Sequence, residues 1–406
     1  MRILFVTHRV PYPPTFGSKV RAFHMIRHLA QRHEVSVMSL ARSDEEAREA
    51  QGLADHCHAF QQFRVHNAAQ AAKIIGTLAT PVSASEAFFH SAQMKRAVDR
   101  ALHGRSYDFI VAHCSAVGRY VEWAPLPKLM DLCDIDSRKW LDFAEVKPWP
   151  LSLGYRWEGR RVAAAELRQT QRFDRVTVAT AGEAALLEGS PHAERVDWFA
   201  NGVDLEYFRP SPNASDYDPN VIAFVGRMDY FPNEQCMVDF CATVWPRLRK
   251  AKPALQLKIV GANPSARVKA LAGIEGVSVT GAVADVRPHV CGAALTVAPL
   301  KIARGTQNKV LESMALGVPV VTSGMAAGGV DARVGEHLLV ADTEDQQVEA
   351  ILRVTGDPIE RARLSRAGRA QVEARHTWPN ALERLDRIVA ECMRSGRATV
   401  WPAQFA

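Results

Sequence analysis

Two stretches of the chain repeat the same order of hydrophobic and polar positions. ILFVTHRVPYPPTFG begins at Ile3, and IAFVGRMDYFPNEQ begins at Ile222. Each is a short apolar run, then a loop with an aromatic residue and proline, then an amphipathic helix, and a second apolar run follows each helix. Strand–helix–strand units of this kind predict parallel, doubly wound sheets. Two such starts predict two Rossmann-like domains.

The first predicted helix has an apolar face and a basic face. Its apolar positions recur with the helical period, and its basic positions are predicted to face water. The apolar positions are Val20, Phe23, Ile26, Leu29 and Ala30, and the basic ones are Lys19, Arg21, Arg27 and Arg32. A basic face of this kind indicates either a solvated surface or contact with an anionic membrane.

Further short apolar runs predict the remaining strands. They are residues 107–115, 126–134, 175–182, 277–283, 295–300 and 318–323. Residues 201–220 are rich in proline, asparagine and aspartate, which predicts a linker. The predicted organisation is an α/β fold with one domain over 1–200 and a second over 221–379. A C-terminal helix over about 380–395 is predicted to pack back on the first domain.

The segment from Lys301 to Glu312 carries the strongest sign of a ligand site. Ligands of open α/β sheets bind beyond the carboxyl ends of strands, where helix N-termini favour anions. Lys301, Arg304 and Lys309 concentrate positive charge at the start of a helix, where acidic residues are usual. Gly305 allows the backbone to approach a ligand closely. The pattern predicts a phosphate-binding site.

Three more residues belong to this predicted site. The helix is expected to begin near Thr306, with Thr306 or Asn308 as its cap. Glu312 follows Lys309 by three residues on nearly the same helical face. Because its neighbours are apolar, hydrogen bonds to ribose hydroxyls explain Glu312 better than a surface ion pair with Lys309. Lys309 is then expected to reach the phosphates.

Composition and charge narrow the class of protein. At 406 residues, with 47% hydrophobic and 23% charged residues, the chain is a globular protein of more than one domain. Its apolar runs are strand-sized and no signal peptide is recognised, so a cytoplasmic protein is expected. The 7 scattered cysteines favour reduced thiols. A net charge of +6 suits an anionic partner such as a nucleotide or a membrane surface, and equally a merely basic surface.

No pattern of metal ligands is complete. Asp134 and Asp136 form a D-x-D, and His24 with His28 has helical spacing, but further ligands are missing in each case. No metal and no other cofactor is therefore expected. A dehydrogenase is disfavoured because no GxGxxG follows a strand, and a nucleic-acid binder because no basic–aromatic module is recognised.

The order of the motifs resembles a known enzyme family. FVGRMDY, LKIVG, VSVTGAV and GTQNKVLESMALGVPVVTS are similar to the C-terminal half of GT-B, GT4-type retaining glycosyltransferases. PPTFGSKVRAFHMIRHLAQRHEVSVMSL is similar to the start of that family, so the resemblance covers nearly the whole chain. FPN, VWP, QNKVLE and DIDSRKW resemble the sugar transferases associated with PEP-CTERM/exosortase systems most. The resemblance implies two Rossmann-like domains facing a cleft.

The resemblance also implies roles for single residues. Gly226 and Arg227 match the glycine and arginine that follow the first strand of the second domain. His113 resembles a cleft histidine that contacts the donor sugar, with a structural histidine as the alternative. Gly17 would let the backbone meet the diphosphate or the acceptor, with a plain turn glycine as the alternative.

Two positions depart from the family pattern. The family carries two glutamates eight residues apart, of which Glu312 matches the second while Arg304 stands at the first. Pro232 stands where the family has a lysine, five residues after Arg227. Lys301 and Arg304 are the expected sources of the missing positive charge.

The sequence thus predicts a transferase that moves a hexose from a nucleotide-diphosphate sugar to a glycan or lipid-linked acceptor in exopolysaccharide synthesis, with retention at the anomeric carbon. Catalysis is assigned to Arg227, Lys309, Glu312 and His113, and substrate binding to Gly17, Gly226, Lys301, Arg304, Gly305, Thr306 and Asn308. Attachment to the inner face of the plasma membrane is compatible with this function. A nucleotide-sugar epimerase on the same fold, or a non-catalytic nucleotide-sugar or glycan-binding relative, remains open.

Overall fold

The chain forms two compact units. The computed structural model describes residues 1–15, 17–77, 79–213 and 216–395. Unit 1 comprises Met1–Ala200 together with the described residues from Leu382 onward, and unit 2 comprises Asn201–Ala381.

A parallel sheet forms the centre of unit 1. Its strands are β1 (Arg2–Thr7), β2 (Glu34–Ala41), β3 (Ala59–Arg64), β4 (Phe109–His113), β5 (Lys128–Cys133), β6 (Arg175–Val178) and β7 (Val196–Trp198). In the described residues they pair in the order β3-β2-β1-β4-β5-β6-β7. The strands β1, β4 and β5 are buried along nearly their whole length, as in a parallel sheet that is covered on both faces.

Helices connect the strands of unit 1. They are α1 (Gly17–Ala30), α2 (Asp44–Glu49), α3 (Asn67–Gly76), α4 (Ala84–Phe88), α5 (Ala92–His103), α6 (Gly118–Val121), α7 (Asp136–Val146), α8 (Leu151–Arg172) and α9 (Ala181–Ala185). Short 3-10 turns cover Ala50–His56, Ser115–Val117 and Ala193–Arg195.

Unit 2 repeats this architecture. Its strands are β8 (Asp218–Val225), β9 (Gln256–Val260), β10 (Val277–Val279), β11 (Ala293–Ala298), β12 (Val320–Thr322) and β13 (Leu339–Val340). In the described part of the chain they pair in parallel in the order β10-β9-β8-β11-β12-β13. Its core packs around Ile222, Phe224 and Leu257 of the central strands.

The helices of unit 2 follow the same alternation. They are α10 (Phe231–Thr243), α11 (Trp245–Ala251), α12 (Ala266–Ala270), α13 (Arg287–Cys291), α14 (Asn308–Ala315), α15 (Gly324–Ala327), α16 (Glu344–Gly356) and α17 (Pro358–Arg375). A 3-10 turn covers Leu271–Gly273, and α18 (Trp378–Ser395) lies in unit 1 from Leu382 onward.

Each sheet has a topological switch point, where ligands of open α/β sheets bind at the carboxyl ends of the strands. In unit 1 the switch lies between β1 and β4, whose last residues Thr7 and His113 are paired. In unit 2 it lies between β8 and β11. The predicted phosphate loop follows β11 directly, so topology places it at a ligand-binding edge.

The predicted doubly wound parallel sheets are confirmed, and each predicted strand coincides with an observed one that is somewhat shorter or shifted. The strands β3, β7 and β13 were not predicted. The sequence of β3, AFQQFR, alternates with polar residues, and β7 and β13 are only three and two residues long. Short or polar edge strands give little hydrophobic signal.

The prediction for the basic face of α1 was wrong at two positions. Arg27 and Arg32 are exposed, as expected, but Lys19 and Arg21 are buried. Lys19 forms an ion pair with Glu46 at 3.3 Å, and Arg21 enters the interior beside Asp131. Because these cations are paired inside the protein, α1 does not present a continuous basic face to a membrane.

Part of the segment predicted as a linker packs within unit 2. Val203, in the segment predicted as a linker, is buried in a cluster with Ala298 and Val310, and β8 already begins at Asp218. The helix α18 forms polar contacts within unit 1, where Asp386 accepts from His28 at 2.9 Å and Glu391 from Arg175 at 3.1 Å. Residues 396–406 lie outside the described residues.

Candidate functional site

Two glycines allow the loops at the carboxyl edge of the unit 2 sheet to pack closely against each other. A Cβ atom on Gly226, directly after β8, would lie 2.7 Å from Asn233 Nδ2 and 3.1 Å from Lys309 Nζ. A Cβ atom on Gly261, directly after β9, would lie 1.7 Å from the Gly226 carbonyl oxygen. The backbone clash requires glycine at position 261, and a side chain at position 226 would displace the ends of Asn233 and Lys309.

Lys309 is the central cation of this edge. Its Nζ donates to Asn233 Oδ1 at 2.6 Å and lies 4.5 Å from the centroid of the Phe224 ring. Burial lowers the pKa of Lys309 to about 8, because the ammonium group has given up water for few polar partners. A bound anion would compensate this ammonium group for the water that burial has removed.

Asn233 joins Lys309 to the loop after β8. The Asn233 side chain is buried, and its Nδ2 donates to the Arg227 carbonyl oxygen at 2.9 Å. The neighbouring Pro232 stands where the family pattern has a lysine. The ammonium group of Lys309 therefore lies beside the position of that missing lysine, reached from α14 instead of α10. Lys309 is thus a third cation near this position, besides the predicted Lys301 and Arg304.

Glu312 lies one turn after Lys309 on α14 and is half-buried. Burial raises the pKa of Glu312 to about 7, although the charge of Lys309 acts in the opposite direction. The pair consists of an acid and a base whose pKa values have moved towards each other. Pairs of groups with perturbed pKa values are common at functional sites.

The loop between β11 and α14 packs closely against the backbone at Gly329. Gly305 has a φ of 61°, in the left-handed region, and its carbonyl oxygen would lie 2.1 Å from a Cβ atom on Gly329. The helix begins at Asn308 with Gln307 as its cap, so the predicted capping by Thr306 or Asn308 was wrong. The backbone torsions of Gly305 and Gln307 keep the chain non-helical up to that point.

The remaining side chains of this loop have varied surroundings. The hydroxyl oxygen of Thr306 is buried and has no hydrogen-bond partner within the described residues. Asn308 Oδ1 accepts from Asn201 Nδ2 at 3.1 Å, and Gln307 Nε2 donates to the Arg304 carbonyl oxygen at 2.8 Å. Thr306 thus has an unused polar atom inside the site, whereas Asn308 is engaged by Asn201.

Two other predicted cations are paired with carboxylates. Arg227 binds Asp229 through two hydrogen bonds, of 2.5 and 3.1 Å, and the Arg227 side chain is 40% exposed. Lys301 binds Asp239 at 2.9 Å with 79% of its side chain exposed. Lys301 therefore lies against α10 in a solvated position, and Arg227 is oriented by its neighbour Asp229.

His113 is the centre of a second polar cluster, in unit 1. It is 1% exposed, and its Nδ1 lies 2.8 Å from Asp131 Oδ2. A carboxylate only accepts hydrogen bonds, so His113 carries a proton on Nδ1. The Nε2 atom is buried and has no partner within the described part of the chain. Nε2 is therefore the ring nitrogen of His113 that is left open to further hydrogen bonding.

Asp131 is held by three other groups of unit 1. Arg21 donates to both carboxylate oxygens, with Nε to Oδ2 and Nη2 to Oδ1 each at 2.9 Å, and Thr177 Oγ1 donates at 2.8 Å. Burial alone would raise the pKa of Asp131, but the Arg21 guanidinium and His113 hold it below its usual range. Arg21 also donates to the Phe199 carbonyl oxygen at 2.8 Å.

His8 follows β1 of the unit 1 sheet, and Gly17 begins the helix after it. The His8 ring stacks on His113 with 6.2 Å between the centroids, and burial lowers the pKa of His8 well below its usual value, so it is neutral. Gly17 is the first residue of α1 and is exposed, with open space where a Cβ atom would be.

The sequence interpretation missed Asn233, Gly261, Arg21 and Asp131. For two of them, Asp131 and Arg21, the local sequence pattern indicates a buried position. Asp131 is a charge in the middle of an apolar strand, LMDLC, which requires a buried partner. Arg21 precedes Met25 and Leu29 by four and eight residues, which places it on the buried face of α1.

The described residues contain no group of three or more histidine, cysteine, aspartate or glutamate side chains placed to hold a metal ion. They also contain no helix that is both long and apolar enough to cross a membrane.

Part of unit 2 is similar to a known protein family. Residues 219–357 match the family described as glycosyl transferases group 1. A GDP-mannose-dependent monoacylated α-(1-6)-phosphatidylinositol monomannoside mannosyltransferase of Corynebacterium glutamicum is 30% identical over 214 residues, 47% of this chain and 54% of the relative. A D-inositol 3-phosphate glycosyltransferase of Thermobispora bispora is 27% identical over 288 residues, 63% and 65% of the two chains. The match spans about half to two thirds of these curated relatives.

Solved structures extend the likeness to both units. HepE of Anabaena in complex with UDP aligns with a TM-score of 0.68 at 15% identity, over 96% of this chain and 100% of its own. Sucrose-phosphate synthase of Thermosynechococcus elongatus aligns with a TM-score of 0.72 at 17% identity, over 97% and 100%. The predicted fold class, two Rossmann-like α/β domains of the GT-B type, is confirmed.

Proposed function

We propose that the protein is a glycosyltransferase that binds a nucleotide-diphosphate sugar in unit 2 and transfers its hexose to a glycan or lipid-linked acceptor in exopolysaccharide synthesis. One observation carries the proposal: Lys309 and Asn233 meet the loop of Gly226 and Arg227 at the switch point of the sheet. This cluster lies inside the residues that match the glycosyl transferase family. UDP in the complex of a structural neighbour also supports a nucleotide donor.

In this proposal the diphosphate binds Lys309, Arg227 and the start of α14. As the bond between the sugar C1 and the phosphate oxygen breaks, negative charge grows on the diphosphate. Fixed cations and helix N–H groups stabilise that charge more strongly in the transition state than in the ground state. The protein's own cations supply this stabilisation without a metal ion, and the sugar keeps its anomeric configuration.

Glu312 is proposed to bind the nucleoside ribose. An ionised carboxylate has two oxygens and accepts from both hydroxyls of a ribose. Thr306, in the loop before the same helix, has a hydroxyl without a partner within the described residues. In unit 1, His113 is proposed to accept a hydroxyl proton of a substrate sugar at Nε2, with Asp131 and Arg21 as positioning residues.

Replacing Glu312 with alanine is expected to weaken binding of UDP or GDP by about tenfold to a hundredfold, since hydrogen bonds to a charged group are lost. Binding is measured by calorimetry, and turnover by release of nucleotide diphosphate from UDP- and GDP-sugars with a membrane lipid extract as acceptor. The wild type should prefer the ribonucleotide to its 2′-deoxy analogue, and Glu312→Ala should bind the two equally.

The matched control for this experiment is Glu349→Ala, which removes an exposed glutamate from α16 of the same unit. A Glu312→Ala variant that still discriminates against the 2′-deoxy analogue would overturn the assignment of the ribose site. Epimerisation of the free nucleotide sugar without acceptor would favour the epimerase. Nucleotide binding without turnover would favour a non-catalytic relative, which the presence of Arg304 at the usual glutamate position allows.

Nucleotide affinity is expected to be greatest between pH 7 and pH 8, because the pKa of Glu312 is about 7 and that of Lys309 is about 8. Below pH 7 Glu312 takes up a proton and loses acceptor capacity. Above pH 8 Lys309 loses its charge, and affinity falls by up to about tenfold per pH unit until the raised pKa of the bound state is reached. Calorimetric titrations across this range measure both limbs.

Two conservative variants separate the limbs of this profile. Lys309→Arg keeps a positive charge at all these pH values, so the alkaline limb should disappear. Glu312→Gln cannot ionise, so the acidic limb should disappear. An alkaline limb that persists unchanged in Lys309→Arg would show that another group titrates.

A further inference from the structure

The turn between α7 and α8 exposes a cluster of large apolar side chains. Val146 is 55% exposed, Trp149 78%, Leu151 58% and Leu153 53%. Pro148 and Pro150 between them are exposed as well. Exposed apolar groups that are close together indicate an interaction site, whereas scattered single ones do not.

The helical hairpin behind this tip is firmly packed. Trp140 of α7 stacks on Tyr155 of α8 with 5.7 Å between the ring centroids. A Cβ atom on Gly159 would lie 2.9 Å from the Leu141 side chain, so the two helices are in close contact there. Glu166 of α8 accepts from the backbone and side chain of Ser137 at the start of α7. The two helices that carry the tip are therefore firmly held against each other.

The charges beside the tip are mostly positive. From residue 145 to residue 161 the chain carries four cations, Lys147, Arg156, Arg160 and Arg161, and two carboxylates. Glu145 is exposed, whereas Glu158 is buried and accepts from the backbone N–H groups of residues 84 and 85, at 2.7 and 2.8 Å. Arg156 and Arg160 are exposed. The surface thus combines an apolar tip with a cationic flank.

We propose that this tip, Val146–Leu153, is an interfacial anchor that inserts into the surface of an anionic lipid bilayer. Tryptophan and leucine partition into the region between head groups and acyl chains, and nearby arginines attract anionic head groups. Two copies of the chain meeting tip to tip would bring their cationic flanks together, which disfavours self-association as the use of this surface. The proposal is independent of the proposed catalytic function.

The anchor is tested with the full chain and vesicles of phosphatidylcholine, alone or mixed with phosphatidylglycerol, in cosedimentation. The wild type should bind the mixed vesicles. Trp149→Ala/Leu151→Ala should lower the partition constant by about a hundredfold, because two large apolar side chains no longer insert. Arg156→Gln/Arg160→Gln should lower it by about twentyfold on mixed vesicles only, since each arginine near an anionic surface contributes about fivefold.

Ile359→Ala is the matched control, because Ile359 of α17 is 82% exposed but stands away from this tip in sequence and belongs to unit 2. It should partition like the wild type. Leu153→Ser gives a second, independent change at the tip, and thermal unfolding checks that each variant is folded. Equal partition of the wild type and Trp149→Ala/Leu151→Ala would overturn the proposal. So would a wild-type dimer, seen by light scattering, that this double variant converts to a monomer.

Discussion

Replacing Lys309 with methionine is expected to lower kcat/KM for the nucleotide sugar by about a hundredfold to a thousandfold, the usual cost of removing one group that stabilises transition-state charge. Lys309 Nζ is held by Asn233 at the switch point, where the resemblance places the diphosphate. Methionine keeps much of the length of the side chain and removes the charge together with the hydrogen bond to Asn233. Steady-state kinetics with the preferred donor and calorimetry with its nucleoside diphosphate measure the effect.

Stability separates a functional role of Lys309 from a structural one. Because burial lowers the pKa of Lys309, its charged form opposes folding, and Lys309→Met should unfold at the same temperature as the wild type or a higher one. Lys269→Met, an exposed lysine on α12 of the same unit, is the control and should retain wild-type kinetics. Unchanged kinetics in Lys309→Met would refute the assignment of the phosphate site.

Replacing Asp131 with asparagine is expected to lower the free energy of unfolding of unit 1 by about 3–5 kcal/mol, because Arg21 is left as a buried, uncompensated charge. Both side chains are fully buried, so solvent does not screen the pair. His113 would also lose the carboxylate that fixes its proton on Nδ1, so the remaining folded protein should have a lower kcat. Denaturant unfolding and donor turnover measure these two effects.

The double variant Arg21→Met/Asp131→Asn keeps this prediction testable if Asp131→Asn alone does not fold. Removing both charges should recover part of the stability, since no charge is then left unpaired. Asp99→Asn is the matched control: Asp99 pairs with Lys95 on the surface of α5, and such a pair contributes less than about 0.5 kcal/mol. Equal losses in Asp131→Asn and Asp99→Asn would contradict a buried ion pair.

Much of the fold follows from local patterns in the sequence. The repeated order of apolar run, loop and amphipathic helix predicts two doubly wound sheets, because parallel strands covered on both faces must be almost continuously apolar. The strands that were missed, β3, β7 and β13, are polar or very short. Their place is set by pairing with a neighbouring strand, which no local pattern contains.

The candidate site was only partly predictable. The glycine at 305 and the charges around Lys309 stand within one short segment of the chain, so their spacing alone indicates an anion site. Lys301 belongs to the same segment, yet it turns to Asp239 and remains exposed. Side-chain direction depends on the neighbours that surround each residue, and these come from distant parts of the chain.

The sequence by itself determined that this protein has two parallel α/β units, and it predicted an anion-binding loop after β11. Hydrophobic periodicity and the placement of glycines depend on only a few neighbouring residues, so the sequence alone shows them. Only the tertiary structure decided that the Lys309 ammonium group meets Asn233, the residue after Pro232, since these residues belong to two helices far apart in sequence. It also decided that Arg21 is an interior residue, because a buried charge is stable only where a distant carboxylate, Asp131, meets it.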